Sequence, residues 1–383
     1  MEKMKENRLL MFFFLIIIIG VSFLNLKNVL SSFENVQGKT LEEKFQSFET
    51  TYNTNFAGQH TLINADGYMA KLIGRRSFNN RIKLNNGRLV EVYGKADISK
   101  QAENVVNLNR FLDDKEIPFL WIQTPCSINK YDKELPEGIE DHSNENADKL
   151  LNEFDKNRVN YLDLRENINK SNLDYDSLFF KTDHHWNIEG AFFAYTQIVE
   201  ELNKNYGFKI DKEKTNINNF EKKIYKDWFL GSCGKRTGIY YAGIDDISLI
   251  YPKFETNMSL ELPYSRVYRE GTFEQAIFDM NRIKEKNYFG DIAYAVYTGS
   301  DYPLVIHKNN LVKDNKKILI IKDSYVLPLE SFLSTCVGQI DVIDLRHFTD
   351  KSVYDYVKET KPDIVLQVIQ PPSVANMEHF QYN

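Results

Sequence analysis

Two short stretches of the chain combine residue types that can do chemistry together. The first is Lys181-Thr182-Asp183-His184-His185-Trp186-Asn187, directly before an amphipathic pattern that begins near Ile188. The second is Ile320-Ile321-Lys322-Asp323-Ser324-Tyr325, where an apolar run ends and Leu327, Leu329, Phe332 and Leu333 begin a helical pattern. A serine hydroxyl is too weakly acidic to attack an acyl group alone. An imidazole must take its proton, and a carboxylate must fix the imidazole tautomer and stabilise its cation. Ser324 is the candidate nucleophile, His185 the candidate base and Asp183 the carboxylate that orients it. A strand, a sharp turn and a helix would set the Ser324 hydroxyl at the carboxyl edge of a sheet. The helix N-terminus, with the Ser324 amide, would supply backbone N–H groups for an oxyanion. The same position also suits a serine that only caps the helix.

Other residues have weaker claims. Gly231 and Ser232 lie in a glycine-containing turn suited to a loop or oxyanion-hole role, and Tyr325 directly follows the nucleophile. Trp121, Trp186 and Trp228 could stack on sugar rings, although packing is the commoner use of such residues. Arg346 is placed to reach an anionic or hydroxyl-rich substrate, or to make a surface ion pair. Adjacent loop histidines do not aim at one ion as a His-x3-His helix face does, and no HExxH or paired CxxC supports zinc, so no metal site is expected. Cys126, Cys233 and Cys336 have unrelated spacings and permit at most one disulfide. Nothing near Cys233 would depress its thiol pKa, so it reads as structural or idle.

The elements that must position these residues alternate. Apolar runs at Pro118–Thr124, Val159–Leu164, Lys317–Ile321, Ile340–Leu345 and Asp363–Ile369 are separated by helical patterns. Those patterns run through Val105 to Leu112, through Ala147 to Phe154, from Ile188 to about Asn205, and through Val353, Tyr356 and Val357. Such runs predict an α/β fold with a mostly parallel sheet covered by helices on both faces. The stretch from about Gly207 to Asn315 breaks the rhythm and reads as a long insertion folded over one end of the sheet, a source of substrate contacts.

The chain has 383 residues, 42% of them hydrophobic and 13% aromatic, enough to bury a sizeable core in about two domains or one large one. With 48 Lys and Arg against 54 Asp and Glu, the net charge of -6 argues against nonspecific nucleic-acid binding. At the amino end, Leu9–Leu24 carries no charge. Extended to Leu30, it approaches the roughly 20 residues that span a bilayer. Its alternatives are a cleaved signal peptide, for which no Ala-x-Ala site follows, or a buried helix. Lys3, Lys5 and Arg8 precede it, so the positive-inside rule places the short amino tail in the cytoplasm and the body outside. The expected organisation is a signal anchor over 1–30, a stalk over 31–61, the α/β domain over 62–375 and a tail over 376–383.

The Asp183-His184-His185-Trp186 run resembles the motif that names the DHHW protein family, relatives of the alginate O-acetyltransferases with SGNH-hydrolase-like domains. The resemblance spans roughly Asn64 to Pro371. Asp183, His185 and Ser324 match residue by residue, in an order permuted relative to ordinary SGNH esterases. Shorter matches cover Tyr131 with Leu135-Pro136, the Gly231-Ser232 turn, and Asp344-Leu345-Arg346. The chain departs from the pattern at Lys322, where a glycine is usual, and at Ser127, where relatives often have lysine. The resemblance implies a membrane-anchored extracytoplasmic O-acetyltransferase acting on a polysaccharide acceptor, without a cofactor. Acetyl-CoA is absent outside the cell, so it also implies a membrane-bound O-acyltransferase partner that supplies the acetyl group. A carbohydrate acetylesterase with the same triad, or a noncatalytic glycan-binding or assembly protein, are the alternatives.

Overall fold

The computed structural model describes residues 2–290, 292–314 and 316–383; Met1, Asp291 and Asn315, the last of them the expected end of the insertion, lie outside them. The chain divides into two compact units, Met1–Met69 and Ala70–Asn383. In the first, a helix spans Glu2–Glu34, and its portion from Met11 to Glu34 is long and apolar enough to cross a membrane by length and composition. A second helix, Leu41–Thr54, begins at a capping box in which the Thr40 side chain accepts from the Glu43 amide while the Glu43 carboxylate accepts from the Thr40 amide.

The second unit is built on an eight-stranded sheet. Its strands in chain order are β1 (Phe119–Gln123), β2 (Tyr161–Asp163), β3 (Met258–Leu262), β4 (Val267–Gly271), β5 (Leu304–Asn309), β6 (Lys317–Lys322), β7 (Gln339–Ile343) and β8 (Ile364–Ile369). The spatial order is β2-β1-β8-β6-β7-β5-β3-β4. The first five strands are parallel, and β5, β3 and β4 continue the sheet antiparallel. Because successive side chains in a strand point to opposite faces, each apolar run supplies two cores. Ile318, Ile320, Leu366 and Val368 face the helices Ile188–Asn205 and Val326–Leu333. Leu319, Ile321, Val365 and Ile369 face Ser99–Asp113, Ser143–Asn157 and Val353–Thr360.

The α/β fold, the parallel strands and their covering helices agree with the sequence reading. The 207–315 stretch differs in one respect: β3, β4 and β5 extend the sheet sideways, while Phe220–Phe229 and Asp245–Pro252 pair as a separate antiparallel ribbon. Edge strand β4, Val-Tyr-Arg-Glu-Gly, is exposed or half-exposed throughout, so it lacks the apolar run by which the central strands are recognised. At the carboxyl end, Phe380 and Tyr382 are buried in the second core.

Candidate active site

Strand β6 lies between β8 and β7, and its carboxyl end delivers Asp323 and Ser324 into a tight turn before the helix Val326–Leu333. Asp323 fastens that turn. One of its carboxylate oxygens accepts from the Tyr325 amide at 3.0 Å, and the other from the Gln370 amide, just beyond β8, at 2.9 Å. Ser324 is not the capping residue, because Tyr325 occupies that position without a side-chain cap. Pro328 falls in the helix's first turn, where a missing N–H leaves no intrahelical bond unmade.

The histidine loop is closed by an isolated antiparallel bridge between Phe179 and Trp186. Asn187 then caps the helix Ile188–Asn205 through a bond from the Gly190 amide. Asp245, from the ribbon, accepts from the Lys181 and Thr182 amides and the Thr182 hydroxyl. The loop is thereby held on both sides before its side chains do any chemistry.

Three candidates converge. His185 Nε2 lies 2.8 Å from Ser324 Oγ, and His185 Nδ1 lies 2.5 Å from Asp183 Oδ1. Asp183 and His185 are 3% and 8% exposed, whereas Ser324 remains half-exposed. Burial pushes the Asp183 carboxyl up, but the charges of His185 and His184 and the bonds from His185 and the Ser232 amide outweigh it. The group is held well below the usual carboxylate range. Tyr294 stacks on the other face of this arrangement, its ring 4.2 Å from that of His185 and tilted by 19°.

His184 faces elsewhere: its Nδ1 is 2.9 Å from Ser232 Oγ, and its ring centre is 3.8 Å from that of His185. Burial first, and His185 second, push its pKa down to about 4. Asp183, His184 and His185 each offer one ligand atom within 4.8 Å of the others, a spacing able to hold a metal ion. The same atoms are already engaged in the bonds to His185, to Ser232 and to the Ser232 amide.

The remaining sequence candidates have supporting positions. The Gly231 amide donates to Thr182 Oγ1 and the Ser232 amide to Asp183 Oδ2, so both are engaged with the histidine loop and not with an oxyanion. A Cβ on Gly231 would come within 2.2 Å of Asp183 Cβ. Trp186 is buried, and its indole N–H donates to the Tyr325 carbonyl at 2.9 Å, so it joins the two halves of the site and presents no face to a sugar. Trp121 is buried too, and Trp228 is half-buried. Tyr325 is also buried, its hydroxyl donating to the His184 carbonyl. Arg346 is held by Asp344 at 2.5 Å and Asp301 at 3.2 Å, so its guanidinium is committed to carboxylates. Lys322 is fully buried and pairs with Asp301 at 2.5 Å. Burial pushes the Cys126 and Cys233 thiols up to about 12, and Cys336 likewise, which leaves no thiolate to compete with Ser324.

A cavity of about 310 Å³ is lined by His184, Ser232, Ser127, Arg81, Arg236 and Gln370 among others, so it adjoins the Asp183–His185–Ser324 line through His184, whose ring packs on that of His185. Tyr294, Asp245 and Gln370 were not recognisable in the sequence, since each acts across a long chain separation. Asp323, adjacent to Ser324, was visible only as part of the motif.

Residues 84–225 match the family model described as the SGNH hydrolase-like domain of the acetyltransferase AlgX. Among solved structures, Bacillus cereus PatB1 is 22% identical with a TM-score of 0.64, over 79% of this chain and 100% of that one. The same protein with a sulfonyl adduct is 21% identical with a TM-score of 0.64, over 80% and 97%. A DHHW family protein from Eubacterium siraeum DSM 15702 is 19% identical with a TM-score of 0.59, over 80% and 96%. No curated protein sequence matches the chain. These structures share the fold. Residues 84–225 are thus similar to the SGNH hydrolase-like domain of the acetyltransferase AlgX, and the fold of the whole α/β unit is similar to that of PatB1 and of the DHHW family protein.

Proposed function

We propose that the chain is an O-acetyltransferase that modifies hydroxyls of a cell-surface or secreted polysaccharide through an acyl-Ser324 intermediate. The observation that carries this reading is the continuous line from Asp183 through His185 to Ser324 beside an open cavity. Ser324 Oγ attacks the carbonyl carbon of an activated acetyl donor and gives its proton to His185 Nε2. The bond from that carbon to the donor's leaving atom breaks, and the leaving group takes the proton from His185. In the second half, an acceptor hydroxyl gives its proton to His185 as its oxygen bonds to the acyl carbon. Ser324 Oγ then departs and recovers the proton. Asp183 stays ionised throughout, fixing the tautomer and stabilising the imidazolium.

The match to an acetyltransferase family model supports the reaction class. PatB1 is known with a sulfonyl adduct, which makes a sulfonyl fluoride a suitable probe for Ser324 here. In this reading the apolar Glu2–Glu34 helix is an uncleaved anchor with its amino end in the cytoplasm, and the α/β unit works outside. A membrane-bound O-acyltransferase partner delivers the acetyl group, and no cofactor takes part.

The test is incubation of the full-length protein with an activated acetyl ester, with and without oligosaccharides, following both hydrolysis and sugar acetylation. Acetylated saccharide is the expected product. Hydrolysis alone across many glycans would assign a carbohydrate acetylesterase, and neither reaction would assign a noncatalytic glycan-binding or assembly protein.

A further inference from the structure

A serine acyl-enzyme needs more than a nucleophile and a base. The carbonyl oxygen becomes an oxyanion in the tetrahedral intermediate, and preorganised N–H donors must meet it. Most donors around Ser324 are already spent. The Tyr325 amide donates to Asp323, the Gly231 amide to Thr182, the Ser232 amide to Asp183, and the Trp186 indole to the Tyr325 carbonyl. The Ser127 hydroxyl donates to the His184 carbonyl, and the Arg346 guanidinium is held by Asp344 and Asp301. Among the described residues, the Ser324 amide has no protein acceptor.

Gln370, just beyond β8, offers a further donor near the turn. Gln370 is 8% exposed and is one of the residues lining the cavity, and its carboxamide has no hydrogen-bond partner among the described residues. Its backbone is tied to the nucleophile's turn, because the Gln370 amide donates to the same Asp323 carboxylate that accepts from Tyr325. Its carbonyl accepts from the Ser373 amide at 3.1 Å, which fixes the chain on the other side. Strands β8 and β6 are hydrogen-bonded neighbours, so their carboxyl ends, and the residues just beyond them, emerge side by side.

We propose that the Gln370 carboxamide and the Ser324 backbone amide together form the oxyanion hole. This rests on the acyl-Ser324 reading above and adds a catalytic residue to it. The ground-state carbonyl enters the cavity between the two donors, and the bonds shorten as negative charge develops on the oxygen. The contribution appears mainly in kcat, since the interaction is stronger in the transition state than in the bound substrate.

The test compares Gln370→Ala, Gln370→Asn and Ser324→Ala with the wild type, all as full-length protein. Turnover of p-nitrophenyl acetate, affinity for a phenylboronic acid and thermal melting are measured for each. A boronic acid bonds to the serine as a tetrahedral anion, so its affinity reports the oxyanion hole without turnover. Gln370→Ala should lower kcat roughly 100-fold, the usual loss on removing one oxyanion donor, with KM changed less than about threefold. Boronic acid affinity should fall with kcat, melting should be unchanged, and Gln370→Asn should recover part of both losses. Wild-type kcat or wild-type boronic acid affinity in Gln370→Ala would overturn the assignment, as would a loss confined to KM. If Gln370→Ala does not fold, the same readouts on Gln370→Asn decide: losses in kcat and boronic acid affinity that move together support the role, and an unchanged kcat overturns it. Activity surviving in Ser324→Ala would instead remove the acyl-serine reading itself.

Discussion

Gly231 lies so close to Asp183 that a single added methyl carbon on it would sit 2.2 Å from Asp183 Cβ and 2.6 Å from Asp183 Oδ2. The Gly231-Ser232 turn acts as a wall behind the carboxylate, with the Ser232 amide bonded to Asp183 Oδ2 at 2.6 Å. The position is reserved for glycine by contact, at an ordinary negative φ of -72°.

Gly231→Ala is therefore expected to displace Asp183 from His185. Overpacking of this kind costs about 1–3 kcal/mol in stability. The loss in ester turnover should exceed the loss in folded fraction at the assay temperature, because the displaced group is the imidazole's partner. A Gly231→Ala protein with wild-type kcat would show that the carboxylate tolerates the shift.

Ser324→Ala and His185→Ala should each lower acyl transfer by at least roughly 10³-fold, since triad members act as a unit. His184→Gln should cost far less, because His184 Nδ1 bonds to Ser232 and not to Ser324. Labelling with a sulfonyl fluoride, followed by intact mass, checks the nucleophile directly. Loss of labelling in the His184 variant comparable to that in the His185 variant would mean that the other ring is the base.

The low pKa of His184 predicts a pH dependence of stability. The unfolded chain takes up this proton as pH falls through the ordinary histidine value of 6.5, and the folded chain only near 4. Between those values the unfolded state binds more protons, so stability falls on acidification and is fully present above about 6.5. Asp183 has the opposite kind of group but the same direction: its contribution is lost only below its unfolded value of 3.8. Urea midpoints measured between pH 6.5 and 4 should fall more steeply for the wild type than for His184→Gln. Parallel curves would contradict the assignment.

Lys322 tests a different part of the frame. Its ammonium is fully buried between Asp301 at 2.5 Å and Asp344 at 3.9 Å. Removing one partner of a buried pair costs about 3–5 kcal/mol, and because Arg346 still pairs with both carboxylates the lower end is expected for Lys322→Met. Urea denaturation gives the value. A change under about 1 kcal/mol would show that Arg346 alone neutralises the cluster.

Much of this arrangement is legible in the sequence, for identifiable reasons. Strands β1, β6, β7 and β8 are apolar on both faces, so they stand out as uninterrupted runs; Ser324 follows β6, and Asp183 and His185 stand just before the helix Ile188–Asn205, whose amphipathic pattern is also visible. The edge strand β4 and its neighbour β3 carry no such run. The roles of Trp186, Tyr325, Gly231 and Ser232 were hidden because the sequence gives residue type but not the partner that has claimed each donor. A tryptophan in an active-site motif can stack on a sugar or tie two loops together, and only the bond from its indole to the Tyr325 carbonyl decides between them. Tyr294 and Asp245 reach the histidine loop from distant segments, and no local pattern announces such contacts.

The three buried thiols make the fold a recorder of its own opening. Cys126 lines the cavity, Cys233 follows the serine that holds His184, and Cys336 lies behind the nucleophile's helix, each protonated and shielded while its surroundings stay closed. A thiol reagent can reach each one only when that piece of structure parts. The rates at which the three are modified would therefore time the breathing of the cavity wall, of the histidine support and of the contact between the helices Ile188–Asn205 and Val326–Leu333 separately, with no cysteine introduced.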